Sequence, residues 1–116
     1  MSFRFVGLLD TITRVRGVHG AMLVAADDGV VVAESLMEGV RGNAVAALAA
    51  SLVKRLHRAA EASGVGTPYF VHLQAEEGVL LTVPAGDGMV LVVVGEADVN
   101  VGLARLEMLR AVEGIA

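Results

Sequence analysis

Three short acidic turns, each lying between two apolar runs, constrain the fold of this chain more than any other feature. They are Asp27-Asp28-Gly29, Glu76-Glu77-Gly78 and Gly86-Asp87-Gly88. Pairs such as Asp-Gly favour the tight turns of β-hairpins, and valine-rich runs on either side are typical of strands. Because a tight turn joins antiparallel neighbours, the three turns predict a sheet that is largely antiparallel.

The spacing of the remaining apolar residues completes the predicted order of elements. Strands are predicted over residues 21–26, 30–34, 69–75, 79–83 and 89–94. Helical spacing extends over residues 3–15, 43–63 and 98–113, with Asn43 and Asp98 as N-caps and Gly64 and Gly114 at the C-terminal ends. The predicted order is therefore αββαβββα.

The fifth predicted strand decides how the helices are layered. Its core, VLVVV at residues 90–94, has no polar alternation, which is typical of a strand covered on both faces. Helices must then lie on both sides of the sheet. The sequence predicts an α/β fold, a three-layer α/β/α sandwich with a five-stranded antiparallel-type sheet, formed by one domain over residues 1–116.

Composition excludes several classes of protein. The chain has 116 residues, no cysteine, 3% aromatic residues and a formal net charge of −4. Disulfides and thiolate metal sites are thus excluded, and the acidic balance argues against nucleic-acid binding. The hydrophobic fraction of 55% exceeds the usual ~45–50%, which favours burial against a second chain. We find no signal-peptide pattern and no membrane-length apolar run, and we expect a cytoplasmic protein.

Candidate catalytic and metal-binding groups are sparse. The turn at residues 27–29 has carboxylates that could hold a divalent cation, but it lacks the alternating acidic residues and distal Glu of an EF-hand loop. His19, His57 and His72 are too far apart in sequence for a local metal motif. The chain has no phosphate-binding glycine motif and no nucleophile elbow. We therefore expect hairpin turns at the acidic positions, no metal, no cofactor and no enzyme activity.

The second helix has two contrasting sides on a helical wheel. One stripe is predicted to lie on the sheet and consists of Val45, Leu48, Ala49, Leu52, Leu56 and Ala59. The other side carries Lys54, Arg55, His57 and Arg58, interleaved with Ala46, Ala47, Ala50 and Ser51. Charges normally point outward, so this side is either a solvated surface or a partner-binding surface that another helix approaches closely.

The third strand, YFVHLQA at residues 69–75, lacks the features that usually protect an exposed edge. It has no lysine, no proline and no bulge glycine. If this strand lies at an edge of the sheet, an identical strand is the simplest element to pair with it.

Three stretches resemble the roadblock/LC7 family, and specifically its bacterial and archaeal branch of MglB-like and conservon-type proteins. They are GAMLVAADDGVVVAES (20–35), NAVAALAASLVKRLHRAA (43–60) and GDGMVLVVVGEADVNVGLARLEMLR (86–110). The resemblance implies a sheet order of 2-1-5-4-3, with the second helix on one face and the first and third on the other. It also implies dimerisation through the second helix and third strand, and partnership with a small Ras-like GTPase.

The function expected from this resemblance is a non-enzymatic homodimeric module that binds and regulates, as activator or scaffold, a small Ras-like GTPase. The expected dimer interface consists of Ala46, Ala50, Val53, His57, Tyr69, Val71 and Leu73. The expected GTPase-binding residues are Ala47, Ser51, Lys54, Arg55 and Arg58. Two alternatives stay open: a scaffold without GTPase regulation, and a small-ligand or signal-sensing domain of PAS or profilin-like shape with His72 and Gln74 as candidate pocket residues. Neither nucleic-acid binding nor membrane insertion is expected.

Overall fold

The computed structural model describes residues 2–115 and contains the elements in the predicted order αββαβββα. They are α1 (Ser2–Thr13), β1 (Val18–Ala25), β2 (Val31–Leu36), α2 (Gly42–Ala62), β3 (Val71–Gln74), β4 (Val79–Gly86), β5 (Met89–Gly95) and α3 (Val101–Ile115). Met1 and Ala116, which the predicted domain includes, lie outside the described residues.

The five strands form one antiparallel sheet in the order β2-β1-β5-β4-β3, which is the order that the family resemblance implies. The central strand β5 sends alternate side chains into two separate cores. Leu91 and Val93 enter one core, Val90 and Val92 enter the other, and none of the four is more than 3% exposed. The prediction that this strand is covered on both faces is confirmed.

The helices cover the two faces of the sheet unequally. Leu9 and Ile12 of α1 are fully buried on one face, together with Ala104 and Met108 of α3. On the opposite face lies α2, where Ala46 is fully buried. The predicted three-layer α/β/α arrangement and the helix placement implied by the resemblance are both confirmed.

The acidic segment at residues 27–29 is the bend between β1 and β2, as expected. The Gly29 amide donates to the Ala25 carbonyl at 2.9 Å, and the Val30 amide donates to Oδ1 of Asp28 at 3.1 Å. Gly29 is buried and has a φ of 74°. The Asp28 carboxylate therefore satisfies a backbone amide of its own turn, which is a common role of aspartate in turns.

The other two acidic turns also join neighbouring strands. The turn between β3 and β4 is closed by the Ala75 amide, which donates to the Gly78 carbonyl at 2.9 Å. Asp87 and Gly88 join β4 to β5 with φ values of 50° and 73°, the conformation of a two-residue type I′ hairpin. The predicted fourth strand ends at residue 83, whereas β4 continues through Pro84, which lies next to a break in register that suits a proline in a strand.

The caps of α2 agree with the prediction at one end only. The helix begins at Gly42 after Arg41, which makes no side-chain cap hydrogen bond, so the prediction of Asn43 as N-cap is wrong. The C-terminal end is as predicted. Gly64 has a φ of 75°, and the amides of Gly64 and Val65 return to carbonyls of the last turn, as in a Schellman motif.

The predicted ends of α3 are also shifted. The Leu103 amide donates to Oδ1 of Asn100 at 3.0 Å, so Asn100 caps this helix and the prediction of Asp98 is wrong. Gly114 does not end the helix, which continues to Ile115. Asparagine and aspartate are equally good N-caps, so the local sequence alone could not separate the two positions.

Candidate partner-binding surface

The orientation of α2 on the sheet differs from the predicted one. The residues buried beneath it are Gly42, Ala46, Ala49 and Ala50. Within the predicted stripe, Ala49 is buried as expected, whereas Leu48 is 72% exposed. Small side chains let a helix approach a sheet closely, so the alanines form the contact and the bulkier leucine is left outside.

This orientation corrects part of the expected dimer interface. Ala46 and Ala50 are 0% and 4% exposed and belong with Met22 to the core beneath α2. Val53 is half-buried against the same core. A second chain cannot reach the side chains of Ala46 and Ala50, so the prediction that they face a partner is wrong. His57 remains exposed.

The outward side of α2 presents a leucine among polar and basic side chains. Leu48, Ser51, Arg55 and Arg58 are all exposed, and their spacing of three or four residues places them along one side of the helix. We call these four residues the α2 ridge. Among the described residues, none forms a salt bridge with Arg55 or Arg58. The α2 ridge therefore carries two cations that are available to an acidic partner.

Two other expected GTPase-binding residues lie beside the β1–β2 turn. The Lys54 ammonium donates to the backbone carbonyl of Asp27. Ala47 packs over Gly29, because a Cβ built on Gly29 would lie 2.9 Å from the Cα of Ala47. The β1–β2 turn therefore packs against α2, and the Lys54 ammonium is already hydrogen-bonded to this turn.

The third strand lies at an edge of the sheet, as the family resemblance implies. β3 is hydrogen-bonded to β4 on one side. Val71 pairs with Thr82 and Leu73 with Leu80, which places these side chains on the sheet face that α2 shares. Leu73 is 50% exposed, and Tyr69, just before the strand, is 70% exposed.

The two edges of the sheet are protected to different degrees. β2 packs against both α1 and α2, whereas β3 makes its principal contacts with β4. The principal contacts of α2 are with β1, β2 and β5. An apolar area on the same side as α2 is therefore only partly covered over β4 and β3, where Leu73 is exposed and Val71 and Leu80 are half-buried. We call Val71, Leu73 and Leu80 the β3–β4 face.

A cavity of about 270 Å³ lies between the C-terminal half of α2 and the sheet. Three of the expected dimer-interface residues line it: Val53, His57 and Val71. Most of its wall is apolar, but it includes Thr82, which is only 2% exposed. The His57 imidazole lies 3.5 Å from the Glu61 carboxylate. The cavity suits a small apolar group with one hydrogen-bonding atom.

The other candidate pocket residues do not contribute to this cavity. Nε2 of His72 lies 3.0 Å from Oε1 of Gln74, and the Gln74 amide donates to the Ala97 carbonyl at 3.0 Å. Strand alternation places His72 and Gln74 on the opposite face of β3, so these candidates of the sensor alternative do not line this cavity. His19 lies 3.5 Å from the Glu96 carboxylate.

The described residues hold neither a metal-binding cluster nor a helix that could span a membrane. Within residues 2–115, no group of three His, Asp or Glu side chains is arranged to hold a metal ion. No helix in this part of the chain has the length and apolarity that are needed to cross a bilayer.

Sequence reasoning missed two residues of this surface. The helical wheel assigns Leu48 to the core, although a lone leucine within an alanine run is a signal that it can lie outside. Arg105 of α3 has its guanidinium carbon 4.9 Å from the ring centroid of Phe70 and 5.7 Å from that of Tyr69. This contact joins residues that are distant in sequence, and no local pattern indicates it.

The chain is similar to known proteins over nearly its whole length. A family model described as the Roadblock/LC7 domain matches residues 6–95. An uncharacterized protein of Methanocaldococcus jannaschii, MJ1340, is 38% identical over 104 residues, which cover 90% of each chain. The structure of MglB in a tetrameric arrangement has a TM-score of 0.90 at 25% identity, with 99% of this chain and 87% of that chain covered. The gliding protein MglB of Thermus thermophilus has a TM-score of 0.87 at 24% identity, with the same coverage.

The family match includes the elements that form the exposed surface. It runs from α1 to the end of β5 and contains both α2 and β3. Domains of this family are generally non-catalytic regulatory or adaptor modules. On the family match and the sequence identity to its relatives, this chain belongs to the roadblock/LC7 family.

Proposed function

We propose that this protein is a homodimeric, non-catalytic module whose paired α2 helices bind and regulate a small Ras-like GTPase. The observation that carries the proposal is the partly exposed β3–β4 face, which includes the unpaired edge strand β3. An apolar surface of this kind marks an interaction site more often than a solvated one.

A second copy of the chain suits this edge. An edge strand presents unpaired backbone N–H and C=O groups, and β3 carries no charge or proline that would prevent pairing. Antiparallel pairing of two β3 strands would continue the sheet across a twofold axis and bring the two α2 helices together on one face. In this arrangement Tyr69, Val71, Leu73 and His57 remain interface residues, and Leu48 replaces the buried alanines.

A GTPase partner is supported by the family and by charge. The protein has a net charge of −4, yet the α2 ridge carries Arg55 and Arg58 without an ionic partner among the described residues. A twofold axis would double this pair into four cations on one surface. Charges at an interface mainly raise the association rate and select complementary partners. The module would then position the catalytic groups of the GTPase itself and supply none of its own.

Sedimentation equilibrium tests the dimer. The wild type should be dimeric at micromolar concentration. Leu73→Lys and Leu48→Lys should each shift it toward monomer, because each places a charge in the proposed interface. Met37→Lys is a matched control, since Met37 is 57% exposed and lies in the loop between β2 and α2. A monomeric wild type, or a Leu73→Lys variant as dimeric as the wild type, would contradict the dimer.

Binding kinetics test the GTPase. A small Ras-like GTPase encoded beside this gene should bind in its GDP or GTP state. The double change Arg55→Ala and Arg58→Ala should slow association and flatten its salt dependence while the dimer persists. The double change Arg14→Ala and Arg16→Ala removes two exposed cations elsewhere and should have little effect. Failure to bind in either nucleotide state would remove the regulatory function and favour a scaffold.

The cavity beside Thr82 favours one second candidate, a small-ligand sensor. Its volume of about 270 Å³ exceeds the ~150 Å³ of an engineered apolar cavity that binds benzene. Thermal unfolding with 1-naphthol tests this candidate. Stabilisation of the wild type but not of Val53→Phe, which fills the cavity, would support a sensor. No stabilisation of the wild type would exclude it for ligands of this class.

A further inference from the structure

Arg105 of α3 has an unfilled hydrogen-bonding capacity near the edge of the sheet. Its guanidinium lies over the rings of Phe70 and Tyr69, a cation–π arrangement that holds the side chain in place. Nε of Arg105 is buried and has no hydrogen-bond partner. No described residue forms a salt bridge with this side chain. The Arg105 guanidinium therefore has no anionic partner among the described residues.

An acidic pair lies at the other end of the same edge strand. Glu76 and Glu77 form the turn between β3 and β4, and both are exposed. Neither forms a salt bridge with another described residue. One end of the edge strand therefore carries an unsatisfied guanidinium, and the other end carries two unpaired carboxylates.

Antiparallel pairing of two β3 strands would bring these opposite ends together. When two identical strands pair antiparallel about a twofold axis, the residue numbers of every facing pair add up to the same value. Facing residues of an antiparallel pair lie on the same face of the sheet, so the axis must pass through a residue position. An axis through Leu73 places residues 69 and 70 of one chain opposite residues 77 and 76 of the other. The rings beneath Arg105 would then face the acidic turn of the partner.

We propose that Arg105 and the Glu76–Glu77 turn form two equivalent salt bridges between subunits, which fix the register of the paired β3 strands. This inference rests on the homodimer of the proposed function and adds the residues that recognise the second copy. A guanidinium can donate two parallel hydrogen bonds to one carboxylate. A slip of the strand pairing would separate the charges at both ends at once.

A charge exchange measured by sedimentation equilibrium tests the salt bridges. Arg105→Glu should weaken the dimer at least about tenfold, because two equivalent pairs become like-charge contacts. The double change Glu76→Arg and Glu77→Arg should do the same. The combination of all three changes should restore dissociation to within about threefold of the wild type. Arg110→Glu is the matched control, since Arg110 lies on the same helix, 3.3 Å from Glu107 in its own chain, and should leave the dimer unchanged.

A second variant keeps the test decisive if Arg105→Glu does not fold. The double change Glu76→Gln and Glu77→Gln alters exposed side chains only, and it should weaken the dimer and reduce its sensitivity to salt. Wild-type dimerisation through β3 with no response to this variant, or with no recovery on charge exchange, would overturn the salt bridges and leave the proposed function intact. A wild type that stays monomeric would overturn both.

Discussion

Replacing Gly29 with alanine tests whether the β1–β2 turn holds α2 in position. Gly29 has a φ of 74°, and a Cβ built there would lie 2.9 Å from the Cα of Ala47. It would also lie 3.5 Å from the Ala46 carbonyl oxygen. These neighbours are helix backbone, which cannot rotate away as a flexible side chain can. The substitution should therefore push α2 off the turn.

Gly64 is a control with almost the same backbone conformation. Its φ is 75°, and nothing lies within 4 Å of a Cβ built there. Alanine in this left-handed region costs about 1–2 kcal/mol, partly offset by about 0.4–1 kcal/mol from the reduced entropy of the unfolded chain. Gly64→Ala should thus destabilise by about 1 kcal/mol. Gly29→Ala should cost a further ~1–3 kcal/mol, as overpacked sites do.

Urea unfolding of the wild type and the two variants measures these free energies, provided that the m-value is unchanged. In thermal unfolding, 1 kcal/mol corresponds to roughly 4 °C for a chain of this size. Gly29→Ala should therefore melt about 4–12 °C below Gly64→Ala. Equal losses for the two variants would refute the reasoning, because they would mean that the turn does not support α2.

Two further predictions concern the cap of α3 and the acidic turn. Asn100→Ala should lower the free energy of unfolding by about 1 kcal/mol and Asp98→Ala by less than about 0.5 kcal/mol, because the Asn100 side chain accepts a first-turn amide. Equal effects in urea unfolding would contradict this cap. Changing Asp27 and Asp28 together to asparagine should hardly alter the melting temperature, because an asparagine oxygen can still accept the Val30 amide. EDTA should leave the wild-type melting curve unchanged, and a calcium-dependent rise confined to the wild type would identify a metal site instead.

Elements with a strong local pattern could be predicted from the sequence. The unbroken apolar run of β5 requires burial on both faces of the strand. In the structure, residues 90–93 of β5 are buried between the two helical layers. The acidic turns depend on residues within three or four positions of each other, so their geometry is also local. The edge position of β3 came from the family resemblance, because the strand's own sequence lacks the lysine and proline that usually mark an exposed edge.

The orientation of α2 could not be predicted, because apolarity and close packing favour different residues. A helical wheel ranks leucine above alanine, whereas the sheet is contacted by the side chains that allow close approach. Ala46 and Ala50 are therefore inside and Leu48 outside. The position of Arg105 over Phe70 depends on how α3 docks beside β3, which is a property of the tertiary structure alone.

The alanine contact beneath α2 has a consequence for the motions of this layer. The core under α2 contains fewer buried residues than the core under α1 and α3, and its helix contributes only alanine side chains to the buried set. Local opening costs less where less apolar surface is exposed by it. Backbone amides of α2 should therefore exchange with deuterated solvent before those of α1 and α3. A partner bound to the α2 ridge would suppress this opening, so that occupancy of the surface could be followed through the exchange rates of the amides beneath it.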